Sequence, residues 1–239
     1  MTFTRIFSSF LLALLIFISS CSSNIYNKFD DPILVKNILE VNDSIVKKDP
    51  VNLLIQPSPV NKFLSYPLGL AINNLANDNP DEKFRIWLEK NENRSNRLEK
   101  LISNKQIDQL KRYNNSFNDF LKNIGQEPIT INDIDIKKNI ERLKRFYDSK
   151  GYFESNITFD SIIEFNQLTA KYSVETKERY LIDSITVNIE SKDLDSLYKV
   201  NISQSRIKKG EFFTIDKLVL ERDRLIKLFN LIEGLKLGK

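Results

Sequence analysis

The 239-residue chain has no histidine and a single cysteine, Cys21. Histidine-based triads, Cys/His nucleophiles and most zinc sites are thereby excluded, because each needs an imidazole or several thiolates in one place. Its six glycines stand apart and never cluster ahead of a helix, so the sequence offers no phosphate-cradling loop. An excess of one charge is also missing. The 36 basic and 32 acidic residues give a net charge of only +4, and they are interleaved, whereas nucleic-acid recognition calls for a concentrated basic surface. The carboxylates sit among lysines at helical spacing, as Glu141 with Lys144 or Asp216 with Lys217. That pattern predicts solvated helix surface, not a paired acid and base. No enzyme, metal, cofactor, small-molecule substrate or nucleic-acid partner is expected.

What the sequence does contain is clearest at its start. Arg5 precedes an apolar run from Phe10 to Ile18, about the length of a secretion-signal core and short for a membrane span. The run ends in Ser19-Ser20-Cys21, which resembles the lipobox of bacterial lipoproteins. The resemblance implies cleavage after residue 20 and lipid attachment at Cys21. An ordinary secretion leader with an incidental cysteine is the other reading. Residues 21–31 are polar and predict a tether.

Ile33 to Val46 is rich in β-branched residues and predicts a first strand. Residues 56–124 predict short, interrupted helices, since Pro57, Pro59, Pro67 and Pro80 each remove a backbone donor. Apolar residues there recur at three- and four-residue spacing: Phe84, Trp87 and Leu88, then Leu98, Leu101 and Ile102, then Phe117, Phe120, Leu121 and Ile124. Such stripes are expected to form core, with Gly125 closing the last helix.

From Asp133 the residues Ile136, Ile140, Leu143 and Tyr147 keep helical spacing, with Asn132 or Asp133 as N-cap and Gly151 as stop. Tyr152–Asp160 then alternates, as does Leu168–Thr176, with a hairpin turn expected at Asn166. A second, weaker copy follows: a strand over Tyr180–Ile189, a short helix over Asp193–Ser203 and a longer one over Thr214–Asn230. Glu141-Arg142-Leu143-x-Arg145-Phe146-Tyr147 has a counterpart in Asp223-Arg224-Leu225-x-Lys227-Leu228-Phe229, an internal repeat signal.

With the lipobox, "PSPVNKFLSYPLGLAINNLAN", "FRIWLEK", "FLKNIGQEPITI", "LKRFYDSKGYFESNI" and "KGEFFTIDKLVLERDRLIKLF" in this order, the chain resembles the POTRA-bearing outer-membrane assembly proteins of the BamA/TamA type, in the lipoprotein form seen in Bacteroidota. The resemblance covers most of residues 18–230. It implies an α+β fold: a β-α-α-β-β POTRA module over residues 32–178 with a helical insert at 56–124, then an incomplete second module over 179–239. It also implies an edge strand after the second helix, able to bind an extended client by β-augmentation. The candidate residues are Phe153, Ser155, Ile157 and Phe159; coverage of that edge by the insert is the opposing reading.

A membrane barrel needs at least about eight strands of about ten residues, and residues 179–239 do not hold them. The second module also lacks a closing hairpin, so the chain reads as one truncated before a barrel; completion of the module by a partner chain is the other reading. Two functions follow. One is a lipid-anchored periplasmic module at the outer membrane, binding unfolded outer-membrane proteins or assembly-complex subunits. The other is a scaffolding envelope lipoprotein with no client-folding role.

Overall fold

Strand β1 (Ile33–Val41) holds the predicted β-branched run. The computed structural model describes residues 25–47, 50–90, 101 and 103–237; the leader, Cys21, and Leu98 and Ile102 of the expected apolar stripe lie outside them. Asn42 and Asp43 follow β1 with φ of 46° and 63°, as a type I′ turn requires. Ser44–Ile45 then returns as β2, with Glu40 opposite Ile45 and Val41 opposite Ser44. The stretch expected as one strand is therefore a strand and a tight hairpin.

Strands β3 (Asn156–Glu164) and β4 (Gln167–Glu175) are joined through Phe165 and Asn166, whose φ values are 49° and 60°. The hairpin turn falls at the asparagine expected from the sequence. The sheet order is β2-β1-β4-β3. Ile33 donates to the Asn166 carbonyl at 2.9 Å and Asn42 to that of Val174 at 3.0 Å, so β1 and β4 run in the same direction. A parallel pair needs a long crossover, and the helices between them lie on it. The chain is α+β with a four-stranded mixed sheet.

The helices are α1 (Leu68–Asn73), α2 (Pro80–Glu89), α3 (Asn104–Ile124), α4 (Asp133–Ser149), α5 (Lys192–Val200) and α6 (Ile215–Leu237). Pro80 opens α2 as its first residue, where its missing N–H has no intrahelical partner to lose. Gly125 does end α3, but with φ −76° and ψ 174°, not in the left-handed region. Its smallness answers a different need, since a Cβ there would lie 2.7 Å from the Asn73 nitrogen.

By contact density the chain divides into two compact units. Of the described residues, one holds 25–37, 57–90, 101, 103–132 and 161–170; the other holds 38–47, 50–56, 133–160 and 171–237. The first is built on Ile25, Tyr26, Ile33, Val60 and Leu70, with Phe29, Tyr66 and Ile129 packed around them. This corrects the expected tether, because Ile25 and Tyr26 are buried and Asn166 Nδ2 donates to the Tyr26 and Phe29 carbonyls at 2.8 Å each. Apolar burial and these bonds hold residues 25–29 against the fold.

In the second unit, Leu143 and Tyr147 of α4 are buried together with Leu39, Val51, Ile55, Tyr172 and Val174. Gly151 ends the α4 segment at φ +90°, and a Cβ there would stand 2.7 Å from the Phe213 carbonyl oxygen. Its own carbonyl accepts Tyr180 N–H at 2.9 Å. Gly151→Ala is expected to cost about 3 kcal/mol, the sum of a left-handed residue and a forced backbone shift. Gly210→Ala, also at positive φ but in open space, is expected to cost about 1 kcal/mol. Urea midpoints at unchanged m-value measure both.

The expected strand Tyr180–Ile189 shrinks to one antiparallel bridge, Leu181 with Phe212. From Asp183 to Glu190 the chain makes no backbone–backbone hydrogen bond among the described residues. Ile185 and Val187 remain exposed. Alternating residues make a strand only where a neighbouring strand takes the ladder bonds.

Arg142 and Arg224, paired in the sequence comparison, make similar local bonds. Arg142 Nη1 donates to Asn139 Oδ1, three residues earlier on α4, at 3.0 Å, and reaches the Leu54 carbonyl at 3.5 Å at the end of the short 3₁₀ helix Pro50–Leu54. Arg224 donates to Glu221, three residues earlier on α6, at 2.6 and 2.9 Å, and reaches the Asn201 carbonyl at 3.5 Å at the end of α5. In both places the arginine ties its helix to a carbonyl at the C-terminal end of another helical segment, where a cation is favoured.

Candidate strand-docking edge

Among the described residues β3 is the last strand of the sheet on its side. A strand so placed has one row of backbone donors and acceptors turned away from its only neighbour. Within Asn156–Asp160 the side chains alternate between exposed and half-buried, with Ile157 and Phe159 half-buried. Phe159 lies over Tyr172 of β4, ring centroids 5.1 Å apart.

Tyr172 is fully buried and fixed by a polar node that sequence reasoning missed. Asn139, also fully buried, donates through Nδ2 to Tyr172 Oη at 2.8 Å and to the Gln56 carbonyl at 2.6 Å. Its Oδ1 accepts Gln56 N–H at 2.9 Å as well as Arg142. Burial pushes the Tyr172 hydroxyl above its ordinary pKa, and the Asn139 bond partly offsets this. One signal points to the node: Asn139 falls on the Ile136, Ile140, Leu143 face, where a polar residue needs an internal partner. On β4 the buried residues Leu168, Ala170, Tyr172 and Val174 alternate as expected. Lys171 meets Glu40 at 2.5 Å, which raises the lysine pKa.

Of the four residues expected on the edge, Ile157 and Phe159 are in β3, whereas Phe153 and Ser155 are in the preceding turn. Ser155 N–H bonds to the Tyr152 carbonyl at 3.2 Å and Lys144 Nζ donates to that of Phe153 at 2.6 Å, so local partners satisfy this backbone instead of a ladder. Ser155 is buried. The Phe153 ring packs on Tyr180 at 5.3 Å and Phe213 at 5.1 Å. Beside it, Tyr180 Oη donates to Glu154 at 2.7 Å, and this bond first, then Lys177, lowers the Glu154 pKa. The edge strand therefore begins at Asn156.

No cluster of three or more potential metal-ligating side chains occurs among the described residues. None of their helices is long and apolar enough to cross a membrane. No family model, curated protein or solved structure matches the chain.

Proposed function

We propose that the protein is a lipid-anchored, POTRA-like interaction module of an outer-membrane protein assembly or translocation factor, held at the periplasmic face by lipid on Cys21. It binds extended strands of unfolded outer-membrane proteins, or of assembly-complex subunits, by adding them to β3. The observation that carries this reading is the position of β3 at the end of the sheet, with its start held by Phe159 on Tyr172. Backbone pairing is tolerant of client sequence, and alternate side chains add only modest selectivity.

The test compares a peptide copying an outer-membrane barrel strand with the same peptide N-methylated at alternate residues, by fluorescence anisotropy on the full chain. Methylation on the paired edge is expected to weaken binding at least about tenfold, as loss of several backbone bonds requires. Thr158→Pro in β3 is expected to do the same. Equal binding of both peptides would remove strand addition as the mechanism.

A second reading, a scaffolding envelope lipoprotein acting through its helical insert, is favoured by the exposed apolar side chains of α3.

A further inference from the structure

Phe117, Phe120 and Ile124 are exposed by 62%, 54% and 50%, which corrects the expectation that they form core. Asn118, itself buried, turns another face of α3 inward, accepting Asn77 N–H at 2.6 Å and donating to the Asn77 carbonyl at 2.8 Å. Phe63 and Leu64 are more exposed still, by 67% and 83%, and their neighbours in the fold are the residues that follow Cys21.

Phe63 and Tyr66 exchange both backbone hydrogen bonds, at 2.8 and 2.9 Å, across a two-residue turn in which Leu64 and Ser65 have φ of 48° and 67°. Such angles belong to a type I′ turn, where asparagine and glycine are the usual residues. A leucine is strained there, and at this exposure Leu64 gains little packing inside the chain to offset the strain. Strain kept where folding does not need it points to a contact outside the fold.

The base of this hairpin belongs to the cluster that holds residues 25–29. Val60 and Tyr66 pack with Ile25 and Tyr26, and Lys62 Nζ lies 5.9 Å from the centre of the Tyr26 ring. Only four peptide steps separate Ile25 from Cys21, a reach of at most about 14 Å. Lipid on Cys21 therefore sets a bilayer surface close to this cluster, and the turn is an exposed apolar projection of it. The turn also suits entry into a headgroup layer. The backbone groups of Phe63 and Tyr66 are already bonded to each other, so few would lose water without a partner. Lys62 is the one charged residue from Asn61 to Pro67, and its long stem lets the ammonium stay in water while apolar neighbours go deeper. Two side chains offer far less than the roughly 800 Å² per partner of a stable protein interface, so a second protein is the poorer occupant.

We infer, resting on the proposed lipid at Cys21, that Phe63 and Leu64 insert into the headgroup–acyl boundary of the membrane that carries this lipid. A lipid tether alone leaves the folded part free to swing, and the turn is the second contact that fixes how the first compact unit stands on the bilayer.

The test uses the full chain expressed with its leader, so that Cys21 is processed, and reconstituted into vesicles of phosphatidylethanolamine and phosphatidylglycerol. With Cys21 acylated, Ser65→Cys supplies the one free thiol; it takes a nitrobenzoxadiazole label at the tip and leaves Phe63 and Leu64 in place. Lipid bearing a nitroxide high on its acyl chain is expected to remove at least about half of the label's emission, since a tip about 5–10 Å deep lies beside it. Leu64→Asn, added to Ser65→Cys, is expected to abolish this quenching with unchanged far-ultraviolet circular dichroism, because asparagine accepts the left-handed backbone but does not enter a bilayer. Intact mass reports the lipid separately. Lipid on Cys21 with an unquenched label would overturn the insertion of the turn alone, whereas Cys21 without lipid would overturn the anchor and the insertion together. Quenching indifferent to Leu64→Asn would also overturn the insertion. So would a label shielded from aqueous iodide yet untouched by the nitroxide, which would assign the tip to a protein partner.

Discussion

Asn139→Leu is expected to destabilise the chain by about 3 kcal/mol, although leucine keeps the branched skeleton of asparagine and is the better helix former. The substitution removes a side chain that bonds to four groups: Tyr172 Oη, both backbone groups of Gln56, and Arg142. Tyr172 is fully buried, so its hydroxyl would keep no internal partner. A buried polar group left without one costs about 1–3 kcal/mol, and the Gln56 amide adds to that.

The pairing supplies its own control. Tyr172→Phe removes the hydroxyl and is expected to cost about 1 kcal/mol alone, but to recover about 1 kcal/mol when added to Asn139→Leu, because the orphaned group is then gone. Urea midpoints for the two single variants and the double variant measure this coupling. Additive effects would mean that Asn139 acts through Gln56 and Arg142 alone. Because Phe159 lies on the Tyr172 ring, Asn139→Leu is also expected to weaken strand-peptide binding beyond what Tyr172→Phe does. This ties the stability of α4 to the proposed docking edge.

The elements legible in sequence are those whose causes are local. Asn166 tolerates a left-handed conformation and stands between two alternating runs, so residue types alone locate the β3–β4 turn. The α4 segment ends at Gly151 for the same kind of reason, a positive φ. Asn42 and Asp43 carry an equivalent turn signal, but only two residues of β2 follow it, too few to show a period of their own. The start of β3 is not legible in the same way, because Phe153 alternates in phase with Ile157 and Phe159. Its ring is taken by Tyr180 and Phe213, residues far along the chain.

Helix α3 shows a different limit. Its apolar spacing predicts amphipathicity correctly, yet periodicity cannot say which face meets the protein. Asn118 and Asn115, which look like surface residues in sequence, are what decide it through Asn77 and Asp81. The segment from Asp183 to Glu190 also has strand alternation without a ladder, because pairing depends on a neighbour and not on the strand's own pattern.

Arg224→Met is expected to cost about 3 kcal/mol at pH 7. Glu221, exposed by 5%, accepts Arg224 at 2.6 and 2.9 Å, Arg206 N–H at 2.8 Å and Ser205 Oγ at 3.1 Å. Arg224 foremost holds its pKa below the ordinary glutamate value against the opposing effect of burial. A carboxylate with a depressed folded-state pKa contributes stability that is present above its unfolded value, about 4.3, and is lost as pH falls through the folded value. Removing the guanidinium therefore matters most where Glu221 is charged. The stability gap between the wild-type chain and Arg224→Met is expected to be full at pH 7 and to narrow below about pH 4, as protonation makes the partner dispensable. Arg142→Met, at the position that the sequence comparison pairs with Arg224, provides the contrast. Its side-chain acceptor is the neutral Asn139, so the expected cost is about 1 kcal/mol, constant from pH 7 to about pH 3.5 because this acceptor does not titrate. Urea unfolding at stepped pH separates the two. A gap at Arg224 that stayed constant through the same range would mean that Glu221 does not depend on the guanidinium for its charge, and that the arginine acts mainly by binding the Asn201 carbonyl.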